Sequence, residues 1–526
     1  MKNSQKHNQL GRSTFIVMIF TFFSRILGFV RTAVFSSIFG GGSTADVLNL
    51  VFSIPNNLRK LMAEGALSSA FIPVMTESVH AGDKNESSTL FISLVALQAV
   101  ILIPLSILAV IFAPQIISFL FDFPIGEQLE MAIQLFRFFI HYTLLISISA
   151  VCMGTLHAHG KFTIPAITPL LFSISVISSI LFLHSNLGVY SMVIGVLAGG
   201  LAQLLFQLPS LFRLGYGKIR KIDFHSPRFR LILRRWAPVV ITSSIYTINQ
   251  QISMFLASGL EIGSSTALLN ALIFWQLPFG IFSASIATVY FPAMSKQAAE
   301  KDISTITQTV NRGIGSLFAL LIPSAVFLIF LGKPAIAVAL QRGAYTAQNT
   351  AMASQVLITY ALGLFSVAAF NFLQRLFYAL GQYRTPLYIG TATMLLDVCL
   401  SLILRETALR VRGLALANSI AFTVGLVIMI ITVGKKHNIK LYSSLLREAT
   451  KVVISSILVG LLCYAGFELF LYETWEYGST IYNWLVTIGI GLVSVLILLS
   501  MYWMLHVQAF KQLIPGVLRR KLYETH

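Results

Sequence analysis

The feature that most limits what this chain can become is a run of about 20 apolar residues that recurs along nearly all of its 526 residues. Each run is long enough to cross a hydrocarbon core of about 30 Å as a helix. Hydrocarbon offers the backbone no hydrogen-bond partners, so a spanning segment must satisfy its own N–H and C=O groups, and an α-helix does so. Only 11% of the residues are charged and 56% are hydrophobic, against roughly 25% charged in a soluble protein. The sequence therefore predicts an all-α polytopic membrane protein with almost no chain left for a separate aqueous domain. Spans are expected near residues 13–38, 45–76, 88–113, 127–155, 164–184, 188–212, 232–259, 265–294, 309–332, 349–379, 385–404, 411–433, 448–471 and 481–505, fourteen in all. The first, second, eighth and tenth are the least uniformly apolar.

The net charge of +18 comes from 37 Lys and Arg against 19 Asp and Glu. In a soluble chain such an excess points to nucleic acid, but here it falls in short loops, as the positive-inside rule places it. One side receives the N-terminus, "HAHGKF", "SKQAAEKDIS", "GQYRTP", "GKKHNIK" and the tail "RRKLYETH"; the other receives "FGGGST", "FDFPIGEQ", "HSNLG" and "LYETWEYGST". Two loops on that second side, "GKPAIAVALQRG" and "RETALRVRG", are modest exceptions. Fourteen spans put both termini on the basic, cytoplasmic side. The stretch from Arg213 to Arg235 also lies there and carries eight Lys or Arg; it reads as a linker held near anionic lipid heads or as a specific partner site. Cys152, Cys399 and Cys463 stand singly in apolar runs without metal-ligand spacing, so each is expected as a buried small hydrophobe, with no metal and no disulfide. The polar, basic start, Met1 to Arg12, is followed by no small-residue cleavage site, and the first span is expected to stay attached.

Two landmarks recur. "AHGKFTIP" (158–165) returns as "ALGQYRTP" (379–386), and "AFIPVM" (70–75) returns as "VYFPAM" (289–294), at nearly the same offset. The offset corresponds to six spans, an even number, so the repeats keep one orientation. The expected organisation is two pseudo-symmetric six-helix lobes, 1–217 and 218–434, followed by two extra helices and a cytoplasmic tail in 435–526.

An Arg or Lys at the bilayer centre costs about 2.5–3.5 kcal/mol on insertion scales, so several together imply a polar cavity or mutual pairing. The first span holds Arg25 and Arg31, with Ser24 and Gly28 beside them; the second holds Asp46, Asn49, Asn56, Asn57, Arg59, Lys60 and Glu64. Arg25 and Arg31 stand about 120° apart on an ideal helix, so they meet one ligand only across a wide cavity or through a bend at Gly28. Lys60 and Glu64, at i and i+4, can neutralise each other. These charges fit either snorkelling and internal pairing or an anionic ligand. Two carboxylates, Asp46 and Glu64, face four cations, and planar guanidinium forks match phosphate oxygens, so a phosphate-bearing substrate is the functional expectation. Pro55 and Gly65 are expected to break the second helix where it lines a cavity.

Elsewhere such residues are sparse. Arg137 and His141, at i and i+4, read as a helix-end pair, and Arg375 as a residue near the cytoplasmic end. Asp397 is the lone carboxylate of its span; it is either protonated or a cation ligand, with Thr393, Asn418 and Ser419 as co-ligands. No Gly-rich nucleotide cradle occurs, so ATP is not expected as the direct energy source.

"SRILGFVRTAVFSSIFG", "TADVLNLVFSIPNNLRKLMAEGALSSAFIPVM", "GKFTIPAITPLL", "QLPFGIFSASIATVYFPAMSK" and "FYALGQYRTPLYI" together resemble the MurJ (MviN) lipid II flippases of bacteria, within the multidrug, oligosaccharidyl-lipid and polysaccharide exporter superfamily. The resemblance implies two lobes around a central cationic cavity, with Arg25, Arg31 and Arg59 engaging a pyrophosphate and Asp46 and Glu64 as its acidic positions. It implies transport, by alternating access, of the undecaprenyl-pyrophosphate-linked disaccharide pentapeptide across the bacterial cytoplasmic (inner) membrane. The two C-terminal helices would form a groove for the lipid tail. No cofactor is expected; from the reading of Asp397, coupling to a monovalent cation gradient or to the membrane potential is the expected energy source. The protein would act as a monomer, with lipid II and anionic membrane lipids as partners and no nucleic acid.

The chain departs from the family pattern in two places: Ile273 stands where many members carry another cavity arginine, and Thr32 where an acid often follows the second arginine. Rival readings are a flippase for another polyprenyl-linked oligosaccharide, a drug or cation antiporter, a membrane glycosyltransferase and a non-transporting scaffold. An antiporter would need an acidic cavity, a glycosyltransferase would need a carboxylate in a structured outer loop, and a scaffold would leave the arginines unexplained.

Overall fold

The structure, a computed structural model, describes residues 2–59, 66–124, 126–217 and 221–513. Among them every regular element is helical. Two compact units divide at Gly259. The first contains α1 (Lys2–Phe39), α2 (Ser43–Arg59), α3 (Ala66–His80), α4 (Lys84–Ile111), α5 (Ala113–Leu120), α6 (Glu127–Phe139), α7 (Tyr142–Ala158), α8 (Thr163–Leu187), α9 (Tyr190–Arg213) and α10 (Pro227–Ser258). The second contains α11 (Ser264–Pro278), a π-helical turn (Phe279–Ser283), α12 (Ala284–Ala299), α13 (Ile303–Leu340), α14 (Ala347–Leu362), α15 (Leu364–Ala379), α16 (Arg384–Arg405), α17 (Val411–His437), α18 (Ser443–Phe470), α19 (Ile481–Met504) and α20 (Gln508–Leu513).

Eleven helical segments of the described residues are long and apolar enough to cross a membrane. The pair α14 and α15, bent by 45° at Gly363, makes a twelfth if it is one span. The chain is therefore a multi-pass membrane protein. The two other expected spans, 45–76 and 232–259, fall on α2 with α3 and on α10. Residues 60–65 of the first lie outside the described residues, and α2 carries Asp46, Arg59 and Pro55.

The repeat seen in the sequence has a structural meaning. Gly160 and Gly381 have φ of 70° and 71°. Lys161 N–H donates to Leu156 O at 2.9 Å, and Gln382 N–H donates to Phe377 O at 2.9 Å. Each is the six-to-one bond of a Schellman stop, in which a left-handed glycine lets the next residue satisfy the last free carbonyls. The following helices, α8 and α16, then start two residues before Pro165 and Pro386, where a missing N–H is harmless. Asp83 and Asp302, separated by the same interval as "AFIPVM" and "VYFPAM", cap α4 and α13 by accepting from Glu86 N–H and Thr305 N–H. The Thr305 hydroxyl and N–H hold the Asp302 carboxyl below its usual pKa.

Apolar side chains cover the outside as well as filling the core, unlike in a soluble protein. Val100, Ile107 and Ile111 of α4 point outward, while the interior carries polar groups paired across helices. Gln207 donates to Ser149 Oγ at 2.7 Å, and Gln203 donates to Thr168 O at 3.0 Å, joining α9 to α7 and α8. In hydrocarbon such bonds give helix pairs a specificity that apolar contact alone does not. α10 packs within the first unit: Phe229 and Ile232 join the core made by α3, α4 and α7, and Arg228 pairs with Glu86 at 2.6 Å. Cys152 and Cys463 are buried as expected, but Cys399 is exposed. The reason is the i, i+4 stripe of Thr393, Asp397 and Ser401, which α16 turns inward and which leaves Cys399 on the outer face.

No atom lies within 4 Å of a Cβ built on Gly160 or Gly381, so backbone strain is the whole cost of adding one. Gly381→Ala is expected to destabilise the purified protein by about 1–2 kcal/mol, and Gly381→Asn by less, because Asn tolerates the left-handed region. Thermal unfolding in detergent checks the order Gly, Asn, Ala.

Candidate functional site

The predicted arginines separate into two environments. α1 runs as one continuous helix through Gly28. Arg25 is exposed on one face with Ser24 half-buried beside it, and Arg31 lies about 9 Å further along the axis on another face. Thr32, in the place of an acid, donates back to Gly28 O at 3.2 Å.

Arg31 enters an aromatic nest. Its guanidinium carbon stands 5.2 Å from the ring centroid of Phe172 on α8. Phe172 stacks on Phe52 of α2 at 6.3 Å and meets Tyr142 of α7 at 5.5 Å; Phe52 also meets Phe139 of α6 at 5.5 Å. A cation over the negative face of a ring gains about 0.5–2 kcal/mol, more as water is excluded. Gly199 of α9 makes room for this ring, since a Cβ there would lie 2.9 Å from a Phe172 ring carbon.

The second helix carries Arg59 in its last turn. Its Nε–H donates to Asn56 Oδ1 at 3.2 Å, one turn back. Asn57 is buried and donates to Gln251 Oε1 of α10 at 3.3 Å, while Gln251 Nε2 is a buried donor with no partner among the described residues. Asp46 is buried in the first turn of α2, where a carboxylate complements the helix N-terminus. Lys60 and Glu64 lie outside the described residues.

In the second unit, Asp397 is 2% exposed. Asn418 Nδ2 donates to its Oδ2 at 2.9 Å, and Ser401 Oγ donates to its Oδ1 at 3.4 Å. Thr393 is buried one turn away with its hydroxyl on Ile389 O. Ser419 turns elsewhere, donating to Thr359 O of α14 at 2.6 Å. A cavity of about 630 Å³ opens between α13, α15, α17 and α18. Phe318, Phe365, Leu426 and Val452 make its apolar wall, and Arg312 and Glu448 also line it.

The family model "Lipid II flippase MurJ" matches residues 35–486. The chain belongs to the MurJ family. "Probable lipid II flippase MurJ" of Borreliella burgdorferi is 34% identical over 491 residues, covering 93% of this chain and 96% of the relative. A solved structure titled "Lipid II flippase MurJ, inward closed conformation" aligns with a TM-score of 0.77 at 27% identity, over 93% of this chain and 99% of that one. An inward-facing multidrug transporter of the MATE family shares the fold, with a TM-score of 0.61 at 16% identity over 79% of this chain and 94% of that one.

Within this MurJ member the aromatic nest, Gln251 and Ser401 were not singled out from sequence. Aromatics are frequent in any membrane helix, so Phe172 carries no signal until α8 is seen against α1. Ser401 did carry one, standing four residues after Asp397 on the same helix face. Ile273 is half-buried two residues before Trp275, whose Nε1–H donates to Tyr360 O at 3.0 Å, in a helix that carries no cation.

The Arg31–Phe172 contact is testable by a double-mutant cycle with Arg31→Met and Phe172→Leu. A coupling of about 0.5–2 kcal/mol in unfolding free energy is expected, with Phe172→Tyr retaining it. Additivity within error would show that the contact contributes nothing.

Proposed function

We infer that this protein is a lipid II flippase, a transporter and not an enzyme. It moves the undecaprenyl-pyrophosphate-linked disaccharide pentapeptide from the inner to the outer leaflet for cell-wall synthesis. The observation that carries the reading is Arg31 seated over the Phe172 ring, which also stacks on Phe52 of α2, the helix that carries Arg59. Guanidinium groups on two neighbouring helices suit a dianion whose oxygens can be shared between them. A pyrophosphate has the right charge and enough acceptors for both. Arg25, on the other face of α1, meets the same headgroup at a different stage, as the site opens alternately to the two sides of the membrane. Ser24, Gly28, Asp46, Asn56, Lys60 and Glu64 complete the substrate site in this proposal.

The finer architecture is proposed with it: fourteen spans, in two six-helix lobes around a central cavity, plus α18 and α19. The protein works as a monomer in the bacterial cytoplasmic membrane with both termini inside, and its basic loops meet anionic lipids. The apolar cavity against α18 supports a polyprenyl-tail site there. The buried Asp397, bonded to Asn418 and Ser401 with Thr393 near, supports coupling to a monovalent cation gradient, Ser419 acting as a further ligand after a local turn. No cofactor is needed for this work.

Replacing Arg31 or Arg59 by Ala is expected to abolish growth of cells depleted of their own flippase, with the variant still present at normal level in the membrane. Arg25→Ala is expected to do the same. Full growth with all three would sink the phosphate site. For Asp397→Asn, leaflet-resolved lipid II measurement is expected to show transport that no longer follows the sodium or proton gradient; an unchanged gradient dependence would exclude Asp397 from coupling.

A further inference from the structure

A second cavity, of about 550 Å³, lies in the first unit and is lined by none of the nest residues. Its walls come from the last turn of α4 (Ile107, Val110, Ile111), from Gln134 to Phe138 on α6, from His141 at the junction with α7, and from Tyr190 at the start of α9. Tyr190 O–H donates to Gln134 Oε1 at 2.9 Å, so the cavity sits level with the beginning of the α9 span. That is the end of the helices opposite Arg213, where a lipid headgroup meets its chains.

The chemistry of the walls is divided. On one side Ile107 and Ile111 are 55% and 60% exposed and continue the bare apolar face of α4. On the other, Arg137 is exposed and makes no hydrogen bond or ion pair among the described residues. Gln134 has given its oxygen to Tyr190, which leaves its amide N–H groups to donate. His141 Nδ1 lies 3.2 Å from Phe138 O; a carbonyl only accepts, so Nδ1 carries a proton, and in the tautomer this contact selects Nε2 is the acceptor nitrogen.

We propose that this cavity binds an anionic glycerophospholipid whose headgroup bears a hydroxyl. The phosphodiester meets the Arg137 fork and the Gln134 amide, the headgroup hydroxyl donates to His141 Nε2, and an acyl chain lies along Ile107 and Ile111. A free cation beside a continuous apolar face matches an anion that carries hydrocarbon, and the acceptor at His141 selects a hydroxylated headgroup over a bare phosphate. The bound lipid ties α4 to α6 and α9 at this membrane surface. The site is independent of the pyrophosphate reading.

The test is native mass spectrometry of the full chain in neutral detergent, titrated with dioleoyl phosphatidylglycerol, phosphatidylcholine, phosphatidic acid or inorganic phosphate. Phosphatidylglycerol is expected to bind the wild type about tenfold more tightly than Arg137→Gln, the loss of one charge-assisted contact. Val110→Trp, which fills the cavity, is expected to lose the same binding, and Arg384→Gln, at an exposed position elsewhere, to keep it. His141→Phe is expected to erase a several-fold preference for phosphatidylglycerol over phosphatidic acid. Equal binding of phosphatidylglycerol to wild type, Arg137→Gln and Val110→Trp overturns the proposal. So does equal binding of phosphatidylcholine, retention of inorganic phosphate in place of lipid, or a headgroup preference that survives His141→Phe.

Discussion

Inside hydrocarbon a backbone N–H or C=O without a partner costs several kcal/mol, and this requirement keeps every spanning segment helical from one membrane surface to the other. Helices can stop only where their last carbonyls are met. The two Schellman stops at Gly160 and Gly381 meet them with the N–H groups of Lys161 and Gln382. The caps at Asp83 and Asp302 do the same for free N–H groups at the opposite kind of end. Prolines inside α4 and α13, Pro104 and Pro323, are separated by the same interval as those two caps, so the two helices lose a backbone bond at the same distance from their N-termini. Stops, caps and internal prolines thus repeat together as one set of local features shared by the two units.

The same solvent explains the arrangement of charge. A guanidinium does not release its proton, so it needs water, an anion or a polarisable face. Arg25 is left exposed, whereas Arg31 is turned onto the Phe172 ring. An aromatic face holds a cation without neutralising it, and this is the difference between storing a charge and using it. A carboxylate partner would cancel the charge of Arg31, whereas the ring leaves it in place.

Much of this was legible in the sequence. Length and apolarity of the runs fixed the class of structure, and the two quoted landmarks fixed the period of the repeat, since stop, glycine and proline chemistry is local. Arg31, Arg59 and Asp397 were legible as well, because a charge in an apolar run is conspicuous. What was not legible depends on distant contact. Nothing in the string "LLFSISV" marks Phe172 as the seat of Arg31, and nothing around Gln251 says that it meets Asn57 of α2. Ser419, adjacent to Asn418, was expected beside Asp397, but neighbouring helical residues point about 100° apart, and only one of the two faces α16. Cys399 read as a core residue because sequence hydropathy cannot distinguish a protein interior from lipid.

The repeat also shows how one scaffold acquires two chemistries. In the register that superposes "AHGKFTIP" on "ALGQYRTP", the buried stripe Phe172, Val176 and Ile180 of α8 corresponds to Thr393, Asp397 and Ser401 of α16. Both stripes face the helix that follows, α9 in one unit and α17 in the other, through the most extensive helix pairing of each unit. In the first the stripe is apolar and aromatic, and its top residue supports a cation arriving from α1. In the second it is polar and acidic, and Asn418 of α17 donates to it. A duplicated helix pair therefore keeps its backbone geometry while the three inward positions are exchanged, because inward positions set the chemistry and the Schellman stop before the helix sets its register. At these three positions the first unit seats a guanidinium on an aromatic ring and the second buries a carboxylate, so exchanging three side chains on one backbone is enough to change the sign of the charge that the stripe receives.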